Sequence, residues 1–340
     1  MADLYTISVW SEFQPLEEIV IGQGYPPDYF DHVTDGETRH CLQTIFHEIQ
    51  EDFDNLARTL SDAGVVVHAV PVMSRDEFVQ QPDSLPPLTP RDRQGVFGQR
   101  LVRLSPYRMF NPIFDHYRGV CPDQVLDPFQ AGDCIINGAN NSCVYRMGRD
   151  VWFDHSEWMT AQQTAWLREQ VLTDSRYRFH DMHTLGHGDC VFAVLKPGVL
   201  LTSYHDGMDY ERDFPGWDIH CVSTPSVQRQ AFNEFANRMH PGTQWWIPNL
   251  DNLPRFRQYV DQYLHDWVGA IHESVFDVNC LSIDQSHVIF GCYDRGVFDY
   301  CRRHGIEPIL CDIRHRFFFD GSVHCCTLDT RRSGAMEDYF

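Results

Sequence analysis

Five short segments of this 340-residue chain carry residue types that could do chemistry. Val323-His324-Cys325-Cys326-Thr327 lies near the C-terminus. A thiolate is a strong nucleophile, but free cysteines are more often small hydrophobes. The pair therefore reads either as a reactive thiol or as a buried strand end. Gly186-His187-Gly188-Asp189 runs straight into the apolar segment Cys190 to Leu195. If a strand has begun by His187, residues two apart point the same way, and His187 and Asp189 share one face. The plain alternative is a turn with incidental polar groups. Pro90-Arg91-Asp92 sits at the end of a proline-rich stretch, Gln80 to Gln94, that reads as a long ordered loop. A turn aspartate is the default there. Phe129-Gln130-Ala131-Gly132-Asp133 has the look of a tight loop before a strand. His180, His183 and His187 could bind metal, but the stretch from His183 to Asp189 has two glycines and no helical stripe. No metal and no cofactor are expected.

The elements that must position these groups are periodic. Leu42, Ile45, Phe46, Ile49, Phe53, Leu56 and Leu60 recur at helical spacing. Gly64 ends that helix, and Val65 to Val72 reads as a buried strand. The same unit returns as helix Val297 to His304, Gly305, and strand Ile306 to Ile313. Hairpins are expected over Ser142 to Phe153, Cys190 to Ser203 and Asn279 to Cys292, each with a polar turn. Further helices are expected at Thr160 to Leu172, Val227 to Met239 and Phe256 to Val268. Recurrence of one helix, strand and hairpin unit implies a closed, pseudo-symmetric α/β array. A doubly wound parallel sheet does not suit antiparallel hairpins.

The balance of 27 basic against 48 acidic residues gives a net charge of −21. Such a surface repels phosphate backbones and anionic lipids, so neither nucleic acid nor membrane is an expected partner. The N-terminal residues lack the pattern of a signal peptide, and no run of about 18 apolar residues appears. The 12 cysteines form no CxxC pair and read as reduced thiols of a cytoplasmic protein. No linker divides the chain, so residues 1–340 are expected to form one domain.

The order of the motifs resembles the arginine:glycine amidinotransferase family. Trp10 to Gly22 resembles its opening strand, and Pro90-Arg91-Asp92 its Pro-Arg-Asp segment. Phe129 to Asp133 resembles its Phe-Asp-Ala-Ala-Asp segment, and Gly148-Arg149-Asp150 its Gly-Arg-Asp turn. His187-Gly188-Asp189 resembles its His-x-Asp motif. His324-Cys325 with Asp329-Thr330-Arg331-Arg332 resembles its C-terminal His-Cys and Asp-x-Arg-Arg.

The resemblance implies a five-bladed α/β propeller, the pentein fold, and a transferase that moves an amidino group from a guanidino donor to an amine acceptor. The donor would be arginine or an arginine-like compound, and the setting specialised metabolism. Cys325 would be the nucleophile, His187 the acid and base, and Asp92 and Asp189 the carboxylates holding the guanidinium. The family's aspartate partner of the histidine falls at Gln130, with Asp133 as the alternative carboxylate. The family's donor-carboxylate arginine falls near Asp206, leaving Arg108 or Arg212 for that task. A homodimer is also implied. A guanidino hydrolase of the same superfamily, and a weakly catalytic binding protein, are the other readings.

Overall fold

The apolar stripe that begins at Leu42 folds as the long helix Gly36–Asp62, whose buried face includes all seven stripe residues. Asp35 caps it by accepting from the backbone N–H of Thr38. Gly64, at φ +85°, turns the chain out of the helix. The computed structural model describes residues 7–132, 135–155, 159–183, 188–203, 209–222, 245, 247, 253–268, 278–319 and 321–340.

Five repeats of one unit follow. Strand β1 (Leu16–Ile21), the long helix and strand β2 (Val66–Ala69) form the first, with β1 and β2 parallel. The second is β3 (Gln94–Phe97), β4 (Arg100–Arg103), helix Asn111–Val120 and β5 (Val125–Leu126). The third is β6 (Val144–Met147), β7 (Asp150–Asp154), helix Ala161–Gln170 and β8 (Arg178–Met182). The fourth is β9 (Phe192–Lys196), β10 (Val199–Thr202), the one-turn helix Tyr210–Asp213 and β11 (Asp218–Cys221). The fifth is β12 (Leu281–Asp284), β13 (His287–Phe290), helix Arg295–Arg303 and β14 (Glu307–Leu310). Strand β15 (Thr327–Arg332) then returns to pair antiparallel with β1.

Each sheet therefore has three strands, with the middle one antiparallel to one neighbour and parallel to the other. The antiparallel pair is a hairpin in four sheets, and the parallel pair needs the helix as its crossover. In the first sheet the antiparallel partner comes from the far end of the chain, so the C-terminal strand closes the array. This is the five-bladed α/β propeller of the pentein fold.

Three expected hairpins form as read, around Gly148-Arg149, Pro197-Gly198 and Gln285-Ser286. A fourth, Gln94–Arg103, was not foreseen, nor was helix Asn111–Val120. The hairpin's strands are four residues long, and β4 begins and ends on arginine, which hides the alternation. The proline-rich stretch does not continue as loop to Gln94, because Pro90–Arg93 forms a single helical turn. The expected helix at Val227 to Met239 lies outside the described residues. Among the described residues, no helix is long and apolar enough to cross a membrane.

Candidate active site

The chain enters the hairpin or closing strand of every blade through a tight turn, and the reactive residues sit in those turns. Cys325 lies two residues before β15, and Asp92 two before β3. Ser142 lies two before β6, Cys190 two before β9 and Asn279 two before β12. These five positions are equivalent under the pseudo-fivefold repeat, and all five residues are buried. One ring of turns thus gathers segments more than 200 residues apart in sequence.

Cys325 is the centre of the described contacts. Its thiol donates to Oδ2 of Asp189 at 3.2 Å, and it accepts from Nδ2 of Asn279 at 2.9 Å. The Asn279 carbonyl in turn accepts from the backbone N–H groups of His324 (3.0 Å) and Cys325 (3.3 Å). One amide side chain therefore fixes both the loop and the sulfur. Gly321 permits this packing, since a Cβ there would lie 2.9 Å from Cβ of Cys325. The Cys325 thiol is pushed well above its ordinary pKa by hydrogen bonding with Cys190, by burial, and by the charges of Asp189 and Asp92.

His324 is held on both ring nitrogens. Nδ1 lies 2.8 Å from Oδ2 of Asp189, and Nε2 lies 3.7 Å from Oε2 of Glu12. Burial and Arg91 oppose its charge, but the hydrogen bond to Asp189 and the nearby Glu12 carboxylate prevail and raise its pKa. The Asp189 carboxylate thereby anchors the ring within the turn.

Beneath the ring lies a buried ion cluster. Arg91 donates through Nη2 to Oδ1 of Asp329 and through Nε to the carbonyl of His324, both at 2.8 Å. Arg332 donates through Nε to Oδ2 of Asp329 at 2.8 Å. All three side chains are almost fully buried. Burial alone would raise the Asp329 pKa, but Arg91 and Arg332 hold the carboxyl well below the carboxylate range. The motifs Pro-Arg-Asp and Asp-x-Arg-Arg thus meet in one interaction that orients the His324-Cys325 turn. Asp329→Asn would leave two buried guanidinium groups short of a counter-charge. An expected loss of about 3–5 kcal/mol should appear in urea unfolding at pH 7, with the exposed Arg295→Ala near wild type as the surface control.

No family model matches the sequence. A search of curated proteins finds the L-arginine:L-lysine amidinotransferase of Pseudomonas savastanoi pv. phaseolicola, 27% identical over 199 residues. That match covers 57% of this chain and 44% of the relative, so it spans under half of the relative's length. The mitochondrial glycine amidinotransferase of Xenopus laevis is 20% identical over 97% of this chain and 84% of its own length. Among solved structures, SxtG, an amidinotransferase from Microseira wollei, superposes with a TM-score of 0.65. It is 19% identical and covers 98% of this chain and 99% of its own. The chain is thus similar to amidinotransferases over nearly its whole length.

The structure brings together only part of the residue set expected from sequence. Cys325, Asp92 and Asp189 converge in the ring. Asp189 does so from a short 3-10 turn, Gly188–Cys190, and not from a strand, since β9 begins only at Phe192. Gly188 is required there because a Cβ would come within 2.1 Å of Oη of Tyr145. Likewise Cys326 follows Cys325 in a turn and not in a strand, with its N–H donating to Ser322 at 3.0 Å. Its side chain nonetheless belongs to the apolar core cluster that includes Ile19, Phe318 and Val323.

His187 and Asp133 lie outside the described residues. Gln130 is exposed on the short helix Pro128–Ala131. The third blade fills its ring position with Asn141 and Ser142, because that turn, not the Phe129 segment, directly precedes β6. Asn141 and Ser142 are buried, and the amide of one and the hydroxyl of the other have no hydrogen-bond partner among the described residues. Arg108 is exposed, and Arg212 is exposed and paired with Asp213 at 2.6 Å. Sequence reasoning missed Asn279, Glu12, Cys190, Asn141 and Ser142. Only the position of Asn279 at the start of an expected hairpin hinted at its place.

Proposed function

We propose that this protein transfers an amidino group from a guanidino donor to an amine acceptor through a covalent bond to Cys325. The observation that carries the reading is a buried thiol that meets the Asp189 carboxylate and the Asn279 amide, with the Asp92 charge acting on it as well. Such a pocket disfavours a free thiolate and favours a bound cation. A guanidinium is planar and cationic, and Asp92 and Asp189 can take its N–H groups as charge-assisted hydrogen bonds. Its positive charge then offsets the two carboxylates and lowers the thiol pKa, so the thiol releases its proton to solvent and the nucleophile forms as the donor arrives.

The sulfur attacks the central carbon, an S–C bond forms, and the C–N bond to the departing amine breaks. His187, carried over from the family motif, gives that amine its proton. The acceptor amine then attacks the amidino-cysteine, loses a proton to the same group, and releases Cys325. Asn279 stabilises the sulfur as it leaves, through its N–H. The named relatives that align along most of the chain are transferases, which favours an amine over water in the second step. An arginine-like donor suits the relative named for L-arginine. Arg108 and Arg212 are the candidates for a donor carboxylate only if they turn inward. A cytoplasmic homodimer completes the proposal.

Intact-protein mass spectrometry after acid quench tests the reading. With L-arginine and no acceptor, one amidino group should accumulate per chain and map to Cys325. Release of a ureido product at full rate without any amine would select hydrolysis. No adduct with any guanidino donor would sink the covalent mechanism.

A further inference from the structure

Two of the five equivalent ring positions are cysteines, Cys325 and Cys190, and the carboxylate of Asp189 lies between them. Oδ2 of Asp189 is 3.2 Å from Sγ of Cys325, and Oδ1 is 3.7 Å from Sγ of Cys190. One ligand atom from each of the three residues lies within 4.8 Å of the others. A tetrahedral zinc ion has bonds of about 2.3 Å to sulfur and about 2.0 Å to oxygen. Its ligands are then separated by about 3.5 Å for sulfur and oxygen and about 3.8 Å for two sulfurs. The two observed sulfur–oxygen separations, each to a different oxygen of the carboxylate, lie close to the first value.

The surroundings have the polarity that such a site needs. Nδ2 of Asn279 points an N–H at both sulfurs, 2.9 Å from Cys325 and 3.5 Å from Cys190. Hydrogen bonds of this kind support metal-bound thiolates. Nδ1 of His324 holds the Asp189 carboxylate at 2.8 Å, as an outer partner orients a ligand. Two thiolates and a carboxylate favour a borderline-soft cation over magnesium or calcium, which take oxygen ligands.

We infer that Cys190, Cys325 and Asp189 form a binding site for one zinc-class divalent cation, which ties up the nucleophile and inhibits the protein. Binding needs no catalysis, so the inference stands apart from the proposed reaction. If that reaction also holds, zinc and the guanidino donor exclude each other, because both use Asp189 and Cys325.

The test is a titration of the reduced, metal-free, full-length protein with Co²⁺. A sulfur-to-cobalt charge-transfer band should rise, saturate at one cobalt per chain, and disappear on adding Zn²⁺. Cys190→Ser and Cys325→Ser should each weaken cobalt binding at least about tenfold, whereas Cys326→Ala should not. Near-UV circular dichroism checks that each variant is folded. A measurement on the wild type needs no variant: Zn²⁺ should protect Cys190 and Cys325 together from alkylation, read by peptide mass spectrometry. Absence of the band, a band indifferent to Cys190→Ser, or protection of other cysteines instead would overturn the inference.

Discussion

Cys325→Ala is expected to abolish turnover and the covalent adduct, with a loss on the order of 10⁴-fold or more in kcat, as when a nucleophile that acts in a unit is removed. The fold should survive, since Cys325 reaches its neighbours through one sulfur and the loop is held independently by Asn279 and Arg91. Cys326→Ala should do the opposite. Its sulfur packs in an apolar cluster, so its loss should cost stability by about 1 kcal/mol and leave the adduct intact. Intact mass and thermal unfolding on both variants decide the matter. Equal loss of activity in the two would mean that the nucleophile has been misassigned.

Asp92→Asn is expected to move two measured properties in opposite directions. Hydrogen bonding with Cys190 and burial contribute most to the raised Cys325 pKa, and the Asp189 and Asp92 charges add to it. Removing one negative charge lowers the cost of a second, so the thiol pKa falls. The pH midpoint for alkylation of Cys325 by iodoacetamide should therefore shift to lower pH in the ligand-free variant. Turnover should nonetheless fall by about ten- to hundredfold, because the guanidinium loses a charge-assisted bond worth about 1.5–3 kcal/mol. Asp189→Asn should behave likewise, with an added loss of order at His324, whose Nδ1 it anchors. A more reactive thiol in a slower enzyme separates a carboxylate that binds substrate from one that activates sulfur. An unchanged alkylation profile in Asp92→Asn would place that side chain outside the pocket.

Much of the architecture could be read from the order of residues alone. Helical and strand periodicities record which face of each element is buried, and that burial is local. Leu42 to Leu60, the three hairpins and the glycines at 64 and 305 were legible for this reason. Cys325, Asp92 and Asp189 were legible by resemblance, as short motifs in family order. The roles of the polar partners were not, because nothing local marks a buried asparagine that will meet a cysteine 46 residues away.

Gln130 shows the limit. Its motif had the family's shape, yet the side chain is exposed, and the repeat gives the third ring position to Asn141 and Ser142. A motif's letters are one-dimensional, whereas the ring is set by which turn directly precedes each blade's first strand. Arg91, Asp329 and Arg332 show the same thing in charge. The sequence determined that these ions exist and that the units repeat. Only closure of the propeller by β15 decided that the two arginines share the Asp329 carboxylate beside the His324-Cys325 turn. Their attraction acts over a few ångströms in a buried, low-dielectric space, and the fold alone brings residues 91 and 329 to that distance.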